Sequence, residues 1–279
     1  MSLIITNAYL LQEPFEDQPL NHARIGYRTL WRAEGSTVTA SSEQEGFPVS
    51  ASLNELTYEF WRPESLPATW ELNLSSPRNA DYLGIASHTL KGLNIILEYD
   101  NNGVWEEITQ FTPDENDPIM VLFEQVETTK FRLTINGSEI PSIGVIFIGQ
   151  TLQMLRPIYG GHSPIKLSRS TEIEPNRSER GQWLGRSLVR KGVSASYSWD
   201  NLSDIWYRNF FDPFVEYATQ SRGTFFIAWR PGKYPKEVGY CWTLSDIEPV
   251  NTGVRNLMSV EMDVVGQIDF ETPKVSDYA

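Results

Sequence analysis

One cysteine, Cys241, and three histidines, His22, His88 and His162, are all that 279 residues offer to soft-metal or redox chemistry. A lone cysteine excludes an intrachain disulfide framework, and a reducing cytoplasm or an assembled particle suits such a chain better than secretion as a small stapled scaffold. The histidines are scattered, and none stands near another or near Cys241 at metal-ligand spacing, so no metal site is expected. The chain also lacks a G-x-S-x-G elbow, a G-K-[ST] phosphate loop and a G-x-G-x-x-G fingerprint, which leaves nucleotide and cofactor chemistry without a framework. No cofactor is implied.

Long apolar runs are equally scarce. The longest, Ile143 to Ile148, has strand length and falls far short of the 18 or so residues of a membrane span. The N-terminus, MSLIITNAYLLQEPFEDQP, has no cationic region ahead of its apolar letters, so neither export by a standard signal peptide nor membrane insertion is expected. Sequons at Asn73, Asn136, Asn176 and Asn201 are coincidental on that reading.

Positive charge is missing from the first half. Residues 1–150 carry 8 Lys/Arg against 21 Asp/Glu, a net of −13, whereas residues 151–279 carry 15 of each. A nucleic-acid ligand is disfavoured, because a phosphate backbone demands a basic surface.

What the chain does have is aromatic residues and turn formers: 9 Trp, 12 Tyr, 13 Phe, 17 Pro and 19 Gly. The first half reads as short strands between turns: Thr57 to Trp61, Thr69 to Leu74, Tyr82 to Ser87, Leu93 to Tyr99, Met120 to Phe123, Lys130 to Ile135 and Ile143 to Gly149. In Leu93 to Tyr99 the apolar residues alternate, the period of a half-buried strand, and Asp100-Asn101-Asn102-Gly103 then supplies a tight reversal before Trp105. Character changes at Arg156-Pro157-Ile158-Tyr159-Gly160-Gly161, which places one domain at 1–152, a second at 153–270 and a flexible C-terminal tail at 271–279. The second half offers strands around Gln182 to Val189, Val193 to Trp199, Thr224 to Trp229, Val238 to Leu244 and Leu257 to Val265. Between them the spacing of Ile205, Trp206, Phe210, Phe214 and Tyr217 predicts a helix, capped by Asn201 or Ser203 and broken or kinked at Pro213.

Candidate functional groups follow from chemistry. Aromatic faces stack on sugar rings, and the loops of the first half carry Phe47, Arg62 and His88, a candidate carbohydrate-binding set. Trp61 and Trp70 read instead as core. The run Arg177, Arg180, Arg186, Arg190 and Lys191 could meet an acidic surface, including that of a neighbouring copy, or could simply guard a solvated strand edge; with Trp206 and Tyr207 on the helix face these arginines form the candidate assembly interface. Carboxylates are plentiful, but no spacing marks a catalytic pair, so no enzyme is expected.

The stretch TWELNLSSPRNADYLGIASHTLKGLNIILEYDNNGVWEEI, preceded by Thr39-Ala40-Ser41-Ser42-Glu43 and followed by KFRLTI at 130–135, resembles a discoidin or galactose-binding-like β-sandwich. Trp70, Leu72, Leu74, Ile85, Asn94 to Tyr99, Trp105 and Arg132 carry the likeness. The second half, through RPIYGGHSPIKLSRSTEIEPNRSERGQWLGRSLVRKG, WYRNFFDPFVEYA and FFIAWRPGKYPKEVGYCW, resembles tail-tip or distal-tail proteins of long-tailed phages and their tail-tube fold. The resemblance implies a mainly β chain: a discoidin-like sandwich followed by a tail-tube-like β domain with one helix. It also implies a structural protein of the virion, made in the host bacterial cytoplasm, that forms a trimeric or hexameric ring and joins tail tube and tail hub proteins. The alternative is a module that contacts a host surface glycan.

Overall fold

The computed structural model describes residues 2–6, 19–221, 223–253 and 255–267; the tail expected at 271–279 lies outside them. The chain is mainly β and forms two compact units, one built from residues 26–151 with the strand at 3–5, the other from residues 19–25 and 152–267. The second unit thus recruits a short piece of chain from near the N-terminus. The strands are β1 (Leu3–Ile5), β2 (Arg24–Gly26), β3 (Thr37–Ala40), β4 (Ala68–His88), β5 (Asn94–Asn101), β6 (Val104–Phe111), β7 (Ile119–Asn136) and β8 (Ile143–Gly149). There follow β9 (Leu152–Gln153), β10 (Arg169–Arg177), β11 (Trp183–Ser203), β12 (Phe225–Ala228), β13 (Val238–Thr243), β14 (Pro249–Asn251) and β15 (Leu257–Gln267).

The first unit is a sandwich because β4 and β7 each serve two layers. The first half of β4 pairs with β3 and with the end of β7, which continues through β5 to β6. The second half of β4 pairs with β8 and with the start of β7, which carries β1 in parallel. Between the halves the register breaks from Asn73 to Arg78, where Pro77 cannot donate to a ladder and residues 75–78 are exposed. Two segments that read as separate strands, Thr69 to Leu74 and Tyr82 to Ser87, are therefore one bent strand, as are Met120 to Phe123 and Lys130 to Ile135. Alternating residues from both layers, among them Trp70, Leu72, Ile95, Leu97, Phe131, Leu133, Leu83, Ile85, Val121 and Ile146, meet in one core. The β5–β6 turn has two central residues, Asn102 and Gly103, both at positive φ (54° and 90°), the conformation a tight hairpin of this twist requires.

The second unit is a single sheet in the order β10-β11-β15-β13-β12-β2-β9, with β14 on β15. A chain of aromatic rings fills it: Tyr197 to Trp199 at 6.1 Å, Trp199 to Phe211 at 6.2 Å, Phe211 to Phe214 at 5.4 Å and Phe214 to Phe225 at 5.0 Å.

Two expectations need correction. Thr57 to Trp61 is not a strand; only Trp61 makes an isolated bridge, to Ile143. The helix spans 204–219, but a π-helical turn at Tyr207–Phe211 rotates its faces, so Tyr207, Phe211, Phe214 and Ala218 are buried while Ile205 and Phe210 are exposed. The π turn lies next to Pro213, whose missing N–H makes a local change of hydrogen-bond pattern cheap, and the helix passes Pro213 instead of breaking. Ser203 occupies the cap position without a side-chain cap bond, and Asp204 pairs with Arg208 one turn on at 2.6 Å.

Candidate functional site

The loops of the first unit bring Phe47 and Arg62 together. Gln44 N–H donates to the Arg62 carbonyl at 2.8 Å, Arg62 N–H to the Phe47 carbonyl at 3.3 Å, and the Arg62 guanidinium lies 5.3 Å from the centre of the Phe47 ring. Phe47 borders an open cleft of about 380 Å³ whose other walls include Pro48, Tyr58, Glu59 and Phe60. Tyr58 is 70% exposed, and Glu59 accepts a hydrogen bond from Asn54 at 2.6 Å. Three aromatic rings beside a carboxylate, with a cation stacked over one of them, can offer apolar faces and hydrogen bonds to a hydroxyl-rich ligand. Sequence reasoning missed Tyr58 and Phe60 because they stood inside a segment read as a strand; the exposure of Tyr58 and the partial exposure of Phe60 follow from that segment being loop.

His88 does not join them. It is buried, its Nε2 lies 2.9 Å from the Asp117 carbonyl and its Nδ1 accepts the Leu90 N–H at 3.2 Å. Both ring nitrogens serve the fold, and burial pushes its pKa down to about 4, so it is no ligand contact. Trp61 and Trp70 are fully buried and donate to the Ser42 carbonyl and the Ser52 hydroxyl, both at 3.1 Å.

In the second unit the basic run occupies a two-stranded ribbon. Strand β11 pairs with β15 only from Val193 onward; among the described residues its earlier part, from Trp183, pairs with β10 alone. The ribbon spans roughly 30 Å. Every residue of β10 is exposed, and so are Ile173 (41%), Trp183 (61%), Leu184 (66%), Leu188 (48%) and Val189 (56%). Arg177 and Arg186 lie exposed on the strands and Arg180 lies in the connecting turn, closed by hydrogen bonds between Ser178 and Gln182. Arg190 faces Glu172 in the register; its side chain falls outside the described residues. Because Ile173 pairs with Leu188 and Pro175 with Arg186, alternation places Ile173, Pro175, Arg186 and Leu188 on one face, with exposed Leu184 at the register shift that follows. That face is apolar with an arginine in it. No apolar periodicity marks β10, and the strand was missed for that reason.

Tyr207 is a correction to the assembly set: it is 3% exposed, and burial raises its pKa to about 12. Trp206 is half-buried and stacks on exposed Phe210 at 6.2 Å. His162 sits in the wall of two clefts of about 480 and 440 Å³, its ring packed between Tyr197 at 5.2 Å and Trp229 at 4.4 Å. Among the described residues no group of His, Cys, Asp or Glu could hold a metal ion, and no helix is long and apolar enough to cross a membrane.

No family model matches the chain, and no curated protein matches it. Solved structures do. A Ruminococcus gnavus GH29 fucosidase in complex with fucose matches at 14% identity and TM-score 0.40, over 44% of this chain and 27% of that one, so this chain spans about a quarter of the fucosidase's length. A family 32 CBM from Clostridium perfringens NanJ in complex with galactose matches at 18% identity and TM-score 0.39, over 44% of this chain and 98% of that one. A pectin-binding carbohydrate-binding module matches at 16% identity and TM-score 0.36, over 44% of this chain and 91% of that one. These matched structures are carbohydrate-binding modules and glycoside hydrolases, and none of those named is a tail protein.

Proposed function

We propose that the protein is a non-catalytic structural component that assembles with copies of itself through its second unit and presents the sandwich as an accessory module. The ribbon carries this reading. Among the described residues the hairpin has no third strand; a two-stranded hairpin is marginal by itself in water, and one that leaves five large apolar side chains exposed is a surface in need of a partner. The arginines of the ribbon make such a surface selective, since they resist indiscriminate pairing while remaining able to meet acidic groups. The residue-level likeness of the second half to tail-tip proteins supports placing the chain in a phage tail, next to tube and hub proteins, as a closed trimeric or hexameric ring. Cross-linking and electron microscopy of virions or of co-expressed tail proteins test that placement; a chain absent from purified particles overturns it.

A second reading is favoured by the Phe47–Tyr58–Phe60 cleft: the sandwich contacts a surface glycan. Galactose, GalNAc-β-1,3-galactose and pectin, named for structures similar to this chain, are the first probes. Titration calorimetry is expected to show binding that Tyr58→Ala and Phe47→Ala each weaken at least tenfold. No binding to those probes or to a broad bacterial glycan array removes the reading.

A further inference from the structure

We infer that the β10–β11 ribbon of one copy docks along β6 of a second copy of this chain. The inference rests on the self-assembly reading and names the surface that receives the ribbon.

Sheet edges decide it. The first unit's main path ends in β3, four residues long, and in β6, eight residues long; the second unit's path ends in β9, two residues long, and in β10, nine residues long. Strand β8 is fully buried and takes bridges from Leu53 and Trp61, so it is covered, and β1 and β14 have three residues each. Among the described residues, β6 is thus the long exposed edge of the first unit, while the ribbon offers two, β10 and the 183–192 side of β11; β10 matches β6 in length.

The ribbon and the β5–β6 hairpin are opposite in charge. Segment 94–111, which contains β5 and β6, has Glu98, Asp100, Glu106 and Glu107 and no Lys or Arg. The ribbon, 169–191, has Arg169, Arg177, Arg180, Arg186, Arg190 and Lys191 against Glu172, Glu174 and Glu179. The attraction favours ribbon on β6 over ribbon on ribbon or β6 on β6. Both edges also carry apolar surface, with Val104 of β6 63% exposed opposite a ribbon bearing Ile173, Leu184 and Leu188.

The receiving edge is held rigid from behind. Trp105 of β6 lies beneath the Arg132 guanidinium, and Glu106 accepts hydrogen bonds from Tyr99 at 2.7 Å and Asn101 at 2.8 Å. Because ribbon and β6 are different patches, each copy can give one contact and receive one: the product is a reciprocal two-fold dimer, a closed ring or a filament.

Sedimentation velocity at low ionic strength tests this with four proteins: wild type, Arg177→Glu/Arg186→Glu, Glu106→Lys/Glu107→Lys, and the chain combining all four changes. Each reversed pair is expected to weaken self-association at least tenfold, and the combined chain to regain it. Glu107→Lys alone, at an exposed position, runs in parallel with circular dichroism, so that a folding defect is not mistaken for lost docking. Self-association that ignores the β6 changes overturns the inference and leaves the assembly reading standing. A wild type that stays monomeric overturns both.

Discussion

The guanidinium of Arg132, on β7, lies 4.1 Å from the centre of the Trp105 ring, on β6. The same guanidinium donates to Glu98 on β5 through Nε at 2.8 Å and Nη2 at 2.9 Å, a fork-to-fork pair that Thr134 extends at 3.1 Å. One side chain therefore ties three strands together and fixes the edge of the sheet.

Arg132→Met should keep the fold and cost about 1–2 kcal/mol, since a charge-assisted pair and a cation–π contact are lost at a half-exposed site. Urea denaturation measures the loss, and hydrogen exchange should quicken first in β6. The bonds from Arg132 hold the Glu98 carboxyl below the usual carboxylate range. Its stabilisation is thus present above about pH 4.5 and fades as pH falls through the lowered folded value, a dependence Arg132→Met should flatten.

His88 acts in the same direction at higher pH. Its folded pKa of about 4 lies below the ordinary histidine value of 6.5, so the unfolded chain binds the proton more readily. The stability it contributes is complete above pH 6.5 and declines as pH falls toward 4, by on the order of 3 kcal/mol in all. Melting temperature followed from pH 7 to 4 should show this slope, and His88→Gln should reduce it.

Cys241 is buried, and burial pushes its thiol pKa up, so it should resist alkylation in the native state. Labelling by a thiol reagent should proceed only as the second unit opens, and its rate against denaturant reports the stability of that unit.

Trp70→Ala should cost about 3–5 kcal/mol, because it empties a fully buried site and leaves the Ser52 hydroxyl without its donor. Denaturant titration of the full chain, followed by tryptophan fluorescence, should show the unfolding of the first unit shift and that of the second unit stay.

Much of this architecture is legible in the letters, and the losses have physical causes. The hairpin at Asn102-Gly103 and the strand 93–99 are plain because turn chemistry and period-two alternation agree there. The bend in β4 is hidden because Ser75-Ser76-Pro77 reads as a stop, although the backbone continues through it with a change of layer. The pairing of β2 with β9 joins three residues to two across a long loop closure, too little pattern to detect. Phe47 and Arg62 could be nominated from residue type, whereas the burial of His88 depends on Asp117 and Leu90, which only the fold brings to its ring. The arginines of the ribbon were visible; the apolar face between them was not, because it emerges only from the register of β10 on β11.

Sedimentation velocity of the purified chain over a wide range of concentration and salt tests the central claim most directly. The account predicts a discrete oligomer, a whole multiple of 31.9 kDa, that salt weakens and that Ile173→Ser/Leu184→Ser/Leu188→Ser reduces to monomer with the fold intact. A wild-type chain that remains at 31.9 kDa under every condition, or an oligomer indifferent to those three changes, contradicts it.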